Sequence, residues 1–550
     1  MTPCILHEDE HLLVVHKPAG VNTHRPSPHT TDGIYDWLRR SEERWTDLST
    51  LHRLDKETSG VLCFGKTRLA NKSLSEQFAK RQIKKTYLLL TDWQIPFERQ
   101  KVRSLILRQG NRYLARSAPT FLERNERPLL AETKFEVVER GGGYTLLKAY
   151  PTTGRTHQIR VHAGWMGFPI LGDELYGGTE LGALCLHASR LELLHPARGE
   201  RMVFEASAPF SVKEVSGMAL TAVNLRRAFL DPEETNGYRA FHGASDGMSG
   251  VYLESLAEHL LVLTQEAAPS AKVRKLAKAT AGALGSKSIW HKTLLRQPGR
   301  ESAQEASPVC LWSEGEEARG GNFEILENGL RYRLSFEAGY SVGIFLDQRE
   351  NRRRILEKRV APDFSLCGPF EGSSQDPPQM LNAFAYTCAF SVCGALAGFQ
   401  TTSLDLSRKY LEWGAENMRL NAIDPSAHDF IYGDVFSWRK RFQNRGRSFD
   451  FIVLDPPTFS RSKKSGIFRV ERDLPKLTWE WIGLLRKNGV ILVSTNCATL
   501  APADFEEMIR DAAEQTGRKV LQSHFTTQPF DFAANSQEKA YLKALWLRLE

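Results

Sequence analysis

The chain has 550 residues, 41% of them hydrophobic and 25% charged, with a net charge of +8. That length exceeds one ordinary hydrophobic core, so two or three domains are expected, and no apolar run is long enough to span a bilayer. The N-terminus lacks a basic region followed by an apolar one, as a secretory signal requires. The eight cysteines, at 4, 63, 185, 310, 367, 388, 393 and 497, show no close CxxC pairing. A chain of this size needs no disulfide staples, so a reducing cytoplasm is the expected compartment.

In chain order, residues 1–212 read as a β-rich α+β unit. Short apolar runs such as Leu12-Leu13-Val14-Val15 and Thr86-Tyr87-Leu88-Leu89-Leu90 lie between Gly/Pro turns there. A boundary near Ala208-Pro209 precedes a mixed segment, 213–325, in which Glu314 to Gly321 reads as a solvated connection. From 326 to 550 strands and helices alternate: a strand at 380–384, a helix at 390–397, then strands at 401–404, 451–454 and 490–493. That rhythm predicts a doubly wound parallel sheet with its ligand at the C-terminal ends of the strands. Basic clusters stand at Lys80 to Lys85, at Arg349 with Arg352, Arg353 and Arg354, and at Arg461 to Lys464. Such clusters either meet a polyanion, where counterion release favours binding, or form solvated helix faces.

Two stretches of the first unit carry the most information: His52-Arg53-Leu54-Asp55-Lys56-Glu57-Thr58-Ser59-Gly60, and Thr153-Gly154-Arg155-Thr156-His157-Gln158-Ile159-Arg160-Val161-His162, continuing through Pro169 to Asp173. With Val15 to Gly20 and Leu186-His187-Ala188, they resemble the RluA-type pseudouridine synthases over residues 5 to 210. The resemblance implies an α+β catalytic domain with a mixed or antiparallel sheet that converts uridine in RNA to pseudouridine. No group is added in that isomerisation, so neither metal nor cofactor is expected. The resemblance makes Asp55 the central carboxylate, which either attacks the sugar or removes a proton. A carboxylate buried beside a nucleobase needs a cation to stay ionised, and Arg160 holds the family position that pairs with it. Tyr87 matches the tyrosine that stacks on the base. Arg53 matches the arginine that helps extrude the nucleotide, an unstacking that costs a few kcal/mol. His52, Arg155 and His157 are expected to bind substrate; His52, His157 and His162 read as hydrogen-bonding or phosphate-contact groups, since no carboxylate or thiol set completes a metal site.

The remainder, about 220 to 550, resembles the class I S-adenosylmethionine-dependent methyltransferases of large-subunit ribosomal RNA, the RlmI and RlmKL group. Gly343 to Arg352, Leu404-Asp405-Leu406-Ser407 and Asp455-Pro456-Pro457-Thr458-Phe459 carry this likeness, and Asn224 to Arg227 with Asp246 to Gly250 resemble the small α+β domain that precedes the core. The resemblance implies a Rossmann-like domain that binds S-adenosylmethionine and RNA. Asp405 is placed for the ribose hydroxyls, Asp434 for the adenine, and Tyr386 and Thr387 for the first cofactor loop, with Gln348 shaping the pocket. Asp455 lies between methyl donor and target, Pro456 lines the substrate side, and Phe459 stacks on a flipped base.

The first loop departs from the pattern: Cys388 stands where relatives have glycine, whose freedom of dihedral angle favours close backbone approach. Cys497 occupies the position of the cytosine-5 nucleophile, whereas Pro-Pro-Thr-Phe-Ser is closer to guanine-modifying relatives. A buried cysteine also serves as packing. Both 5-methylcytosine and methylguanine therefore stay open. The expected function is a bifunctional enzyme of ribosomal RNA; the alternatives are a synthase whose second half is a degenerate RNA-binding module, and transfer RNA as the target.

Overall fold

The computed structural model describes residues 4–117, 129–213, 217–294, 307–315, 321–338, 341–366, 377–462, 466–535 and 537–550. Two compact units emerge: Met1–Pro26 with Asp32–Asp231, and Ser27–Thr31 with Pro232–Glu550. The first runs past residue 212 because the helix Met218–Arg227 belongs to it; the Trp37 and Phe229 rings, for example, meet edge to face at 5.1 Å. Most of the stretch read as a solvated connection, 316–320, lies outside the described residues, as do Lys463 and Lys464.

The first unit is built on an eleven-stranded sheet. Its centre runs Leu12–Lys17, Ser59–Gly65, Leu186–Leu194, Lys84–Thr91, Tyr144–Pro151. All its pairings are antiparallel except that of His187 with Ser59, as the expected mixed sheet requires. The apolar runs are buried on both faces, which is why they read as continuous rather than alternating. Gly60 is needed where two strands approach: its φ is +122°, and a Cβ would lie 2.3 Å from the Ala188 carbonyl oxygen. That close fit places the loop before it against the middle of the sheet.

The second unit contains a five-stranded sheet, Gly237–His242, Val251–Leu256, His259–Thr264, Ser288–Thr293 and Val309–Ser313. The helix Ala271–Leu284, capped by Ser270 and ended by Gly285, joins its one parallel pair. A seven-stranded sheet follows, in the order Asp429–Tyr432, Gln400–Asp405, Gln379–Ala383, Phe449–Leu454, Leu485–Thr495, Lys543–Leu549, Val520–Thr526. The first five strands are parallel; Lys543–Leu549 alone runs against them, and Val520–Thr526, antiparallel to it, points the same way as the first five. The strand Phe449–Leu454 is buried at every position, so its Asp450 needs partners and finds the Gln379 N–H and the Arg486 guanidinium. Connections reverse direction beside Gln379–Ala383, which opens a crevice at the strand ends. Among the described residues no helix is long and apolar enough to cross a membrane.

Candidate active sites

In the first unit a cavity of ≈ 1940 Å³ is lined by His52, Arg53, Asp55, Tyr87, Arg155, His157 and Arg160, together with Lys85 and Glu57. All seven predicted residues of this half therefore meet in one place. The Asp55 loop is held from below. Lys17, fully buried, donates from Nζ to the carbonyls of Pro18 (2.9 Å), Val21 (2.7 Å) and Lys56 (3.1 Å). The Thr23 hydroxyl donates to the Leu54 carbonyl at 2.9 Å and accepts the Leu54 N–H at 3.1 Å. Burial pushes the Lys17 ammonium down to about 7, opposed by the charges of Glu57 and Asp55.

The Asp55 carboxylate has two cation-forming neighbours, Arg160 Nη1 and His157 Nε2, each 4.0 Å from Oδ2. Burial raises its pKa above the ordinary value, while His157 and Arg160 pull it down. Arg160 is committed elsewhere: Nε and Nη2 form a two-pronged pair with Asp173 at 2.8 and 2.7 Å. The expected Asp55–Arg160 pair is present at 4.0 Å, and Asp173 is a second, closer partner of the same guanidinium. Asp173 holds the guanidinium, and its remaining nitrogen faces Asp55 across a gap. Tyr87 lies in the cavity wall with its hydroxyl pKa pushed well up by burial and by the Asp55 charge. His52 is neutral, driven far down by burial, and Nε2 accepts the Cys63 N–H at 3.1 Å. His162 is buried between Thr133 and Ser104, so it is structural. Arg53 is exposed at the rim, and Arg155 reaches the Leu130 carbonyl at 3.3 Å.

In the second unit the predicted residues gather at the strand ends. Asp405, last of its strand, accepts the Tyr386 N–H (2.9 Å) and the Ser407 N–H (2.8 Å); burial raises its pKa and those amides lower it. Phe384, Tyr386 and Cys388 all adopt left-handed φ, at 62°, 49° and 62°. The space for Cys388 comes from Gly414 in the next helix, where a Cβ would fall 2.3 Å from the Cys388 sulfur. The cysteine therefore keeps the glycine-like turn, with its side chain accommodated by the missing Cβ of Gly414. Thr387 is turned inward, its hydroxyl donating to the Gly343 carbonyl at 2.6 Å and its carbonyl accepting from Asn417 Nδ2 at 3.0 Å. Asp434 caps the helix Val435–Asn444 through the Ser437 N–H at 2.9 Å.

Asp455 follows the strand Phe449–Leu454. Its Oδ1 accepts the Ser494 hydroxyl at 2.7 Å and Gln348 Nε2 at 3.2 Å, and Asn351 steadies that glutamine at 2.7 Å. Surrounding protein pushes the Asp455 carboxyl up to about 6, although one edge keeps some solvent contact. Asp347, next to Gln348, accepts the Tyr541 hydroxyl at 3.0 Å. Pro456 is buried and Phe459 is 54% exposed. Cys497 packs in an apolar cluster, with its sulfur 3.1 Å from Glu471 Oε1 and 3.2 Å from the Thr499 hydroxyl. The arginines at 349 and 352 belong to no phosphate-binding patch. They are buried ion pairs with Asp531 (2.9 and 2.6 Å) and Glu327 (2.6 and 2.7 Å). Arg354 is buried as well, and Arg353 pairs with Glu357.

Residues 11–165 match the model of the RNA pseudouridylate synthases, and residues 239–548 match that of the S-adenosylmethionine-dependent methyltransferases. The chain belongs to the S-adenosylmethionine-dependent methyltransferases. It carries an RNA pseudouridylate synthase domain ahead of that one. YwbD of Bacillus subtilis (strain 168), provisionally named a ribosomal RNA large subunit methyltransferase, is 30% identical over 332 residues, 60% of this chain and 78% of YwbD. Ribosomal large subunit pseudouridine synthase C of Escherichia coli (strain K12) is 39% identical over 215 residues, 37% of this chain. The chain spans 65% of that synthase's length. The crystal structure of SMU.776 with bound SAH superposes with a TM-score of 0.50 at 25% identity, covering 65% of this chain and 87% of that one.

Four residues of the synthase half were not assigned a role from sequence: Lys17, Lys85, Asp173 and Tyr176. Lys17 and Asp173 stand inside the quoted motifs, but only burial shows that one anchors the Asp55 loop and the other holds Arg160. In the methyltransferase half, Ser494 and Asn351 were missed because Ser494 meets Asp455 across 39 residues and Gln348 across 146, and Asn351 acts through Gln348.

Proposed function

We propose that the chain modifies large-subunit ribosomal RNA twice, isomerising a uridine in the Asp55 cavity and methylating a base nitrogen at Asp455. The observation that carries the first activity is the single cavity in which Asp55 meets Tyr87, Arg53 and two cation-forming groups. Arg53 at the rim enters the stack, Tyr87 faces the extruded base, and Asp55 acts at the sugar or its proton. No external group is consumed.

For the second activity, the donor set at the strand ends fits S-adenosylmethionine: a carboxylate at 405 ending the second strand, an acid-capped helix after the third, and the left-handed turn 384–388. That cofactor supplies the methyl group. Asp405 is assigned to its ribose, and the 386–387 backbone and the Asp434 helix end to its remainder. Asp455 accepts a hydrogen bond from the base amine or ring N–H and turns its lone pair to the donor. Phe459, exposed beyond it, stacks on the base. Methylguanine is favoured over 5-methylcytosine because the Cys497 thiol is occupied by Glu471 and Thr499 within an apolar cluster.

Nucleoside mass spectrometry of ribosomal RNA from cells with and without the gene tests both activities. Loss of one pseudouridine and one methylguanine is expected. Loss of 5-methylcytosine, together with inactivity of Cys497→Ala, would instead make Cys497 the nucleophile.

A further inference from the structure

The isomerisation has a proton to dispose of. Once the C1′–N1 bond has broken and C5 has joined C1′, C5 still carries its hydrogen. The product forms when that proton leaves, the C–H electron pair makes the C5=C6 double bond, the N1=C6 pair moves to N1, and N1 takes a proton from water. A base that is unprotonated at working pH has to face the base ring. Tyr87 is poorly suited, since burial and the Asp55 charge keep its hydroxyl protonated.

His157 has the required placement. It is one of the few non-glycine residues with left-handed backbone, φ 56° and ψ 16°, directly before the helix Gln158–Trp165. Such a conformation is costly for a residue with a side chain and persists where the surroundings hold it. Here they do. His157 Nδ1 and the Tyr176 hydroxyl are 2.8 Å apart, and the same oxygen accepts the Tyr113 N–H at 3.1 Å. The Tyr176 ring stands edge-on to His157 and lies under the Arg160 guanidinium at 5.2 Å. With the ring proton assigned to Nδ1, that nitrogen donates to the Tyr176 oxygen and Nε2 is left unprotonated. Nε2 then faces Asp55 Oδ2 at 4.0 Å. That gap is too long for a direct hydrogen bond, so neither lone pair is consumed by the other.

We propose that His157 is the base that takes the C5 proton, through Nε2, in pseudouridine formation. This rests on the reading of the Asp55 cavity given above. The groups facing the imidazole are Asp55 and Glu57 from the loop, Arg160 and Tyr176 from the helix and the turn after it, Asp173 behind them, and Tyr113 from the neighbouring strand. Burial lowers the His157 pKa more than the acids raise it, so the ring is neutral when it must accept and sheds the proton readily afterwards. While it holds that proton, the Asp55 carboxylate beside it balances the charge.

The test uses the full chain and RNA carrying uridine deuterated at C5. His157→Asn, chosen because asparagine tolerates left-handed φ, is expected to slow pseudouridine formation by about 10²-fold or more. It should also reveal a primary deuterium isotope effect absent from the unaltered protein and regain activity with added imidazole. Tyr176→Phe, which removes the tether and keeps the ring, should give a smaller loss and a displaced pH profile. An unchanged rate in His157→Asn, or a loss with neither isotope effect nor imidazole rescue, overturns the inference while Asp55→Ala still shows the cavity to be the active site. Absence of pseudouridine with the unaltered protein would overturn the reading of the cavity itself.

Discussion

The two halves each place one aspartate in a cleft, Asp55 just before a turn and Asp455 just after a strand, yet they keep it in opposite ways. Asp55 stands in a wide cavity with Arg160 and His157 at 4.0 Å, so charges oppose the burial that would neutralise it. Asp455 is steadied by neutral donors, Ser494 and Gln348, and its carboxyl rises to about 6. A carboxylate whose ionisation is guarded by cations suits chemistry at a sugar carbon or its proton. One that is merely hydrogen-bonded suits the task of accepting and releasing an N–H. The positive charge of the second half is meanwhile spent on its framework, in the pairs Arg349–Asp531 and Arg352–Glu327.

The comparison is broken most directly at Asp55. Asp55→Asn keeps the shape and removes the charge, and pseudouridine should fall below detection by mass spectrometry while methylation continues. Asp455→Asn should do the reverse, lowering methyl transfer by about 10²-fold, with S-adenosylmethionine affinity by calorimetry little changed. Retained methylation in that variant would remove Asp455 from the chemistry.

Framework charge comes next. Asp173→Asn leaves Arg160 buried without its counter-ion, a loss of about 3–5 kcal/mol in the first unit, read as an earlier thermal transition along with weakened synthase activity. Asp531→Asn should cost a similar amount in the second unit and spare the synthase.

The pH dependence sharpens the contrast. If Asp455 must be ionised, methyl transfer should rise about tenfold per pH unit below 6 and level off above it. Asp455→Asn should flatten that limb. For stability the sign is opposite: the folded pKa, about 6, exceeds the ordinary value of 3.8, so the folded chain holds a proton that the unfolded chain has released. This contribution is full below 3.8 and is lost as pH rises through 6. The smallest effect is expected for Cys388→Gly. Relief of left-handed strain, about 1 kcal/mol, is offset by the lost packing against Gly414, so melting temperature and cofactor affinity should barely move.

Much of the second sheet was legible because its strands are short apolar runs with polar turns after them. The strand expected at 401–404 is Gln400–Asp405, and that expected at 451–454 is Phe449–Leu454. The helix expected at 390–397 is Ala389–Leu396. The cluster Arg349, Arg352, Arg353 and Arg354 misled, since a run of arginines carries no mark of the acids it will meet. Those acids, Glu327 and Asp531, lie 25 and 182 residues away.

By itself, the sequence determined the two kinds of domain, because motif residues adjacent in the chain are held adjacent by the backbone turn that carries them. The tertiary structure alone decided the partners. It tied Arg160 to Asp173 as well as to Asp55, seated Cys388 against Gly414, turned Thr387 inward, and aimed His157 across the cavity. Which charge faces which, and where a side chain finds room, depend on distances between segments far apart in the chain, and those exist only once the sheet has formed.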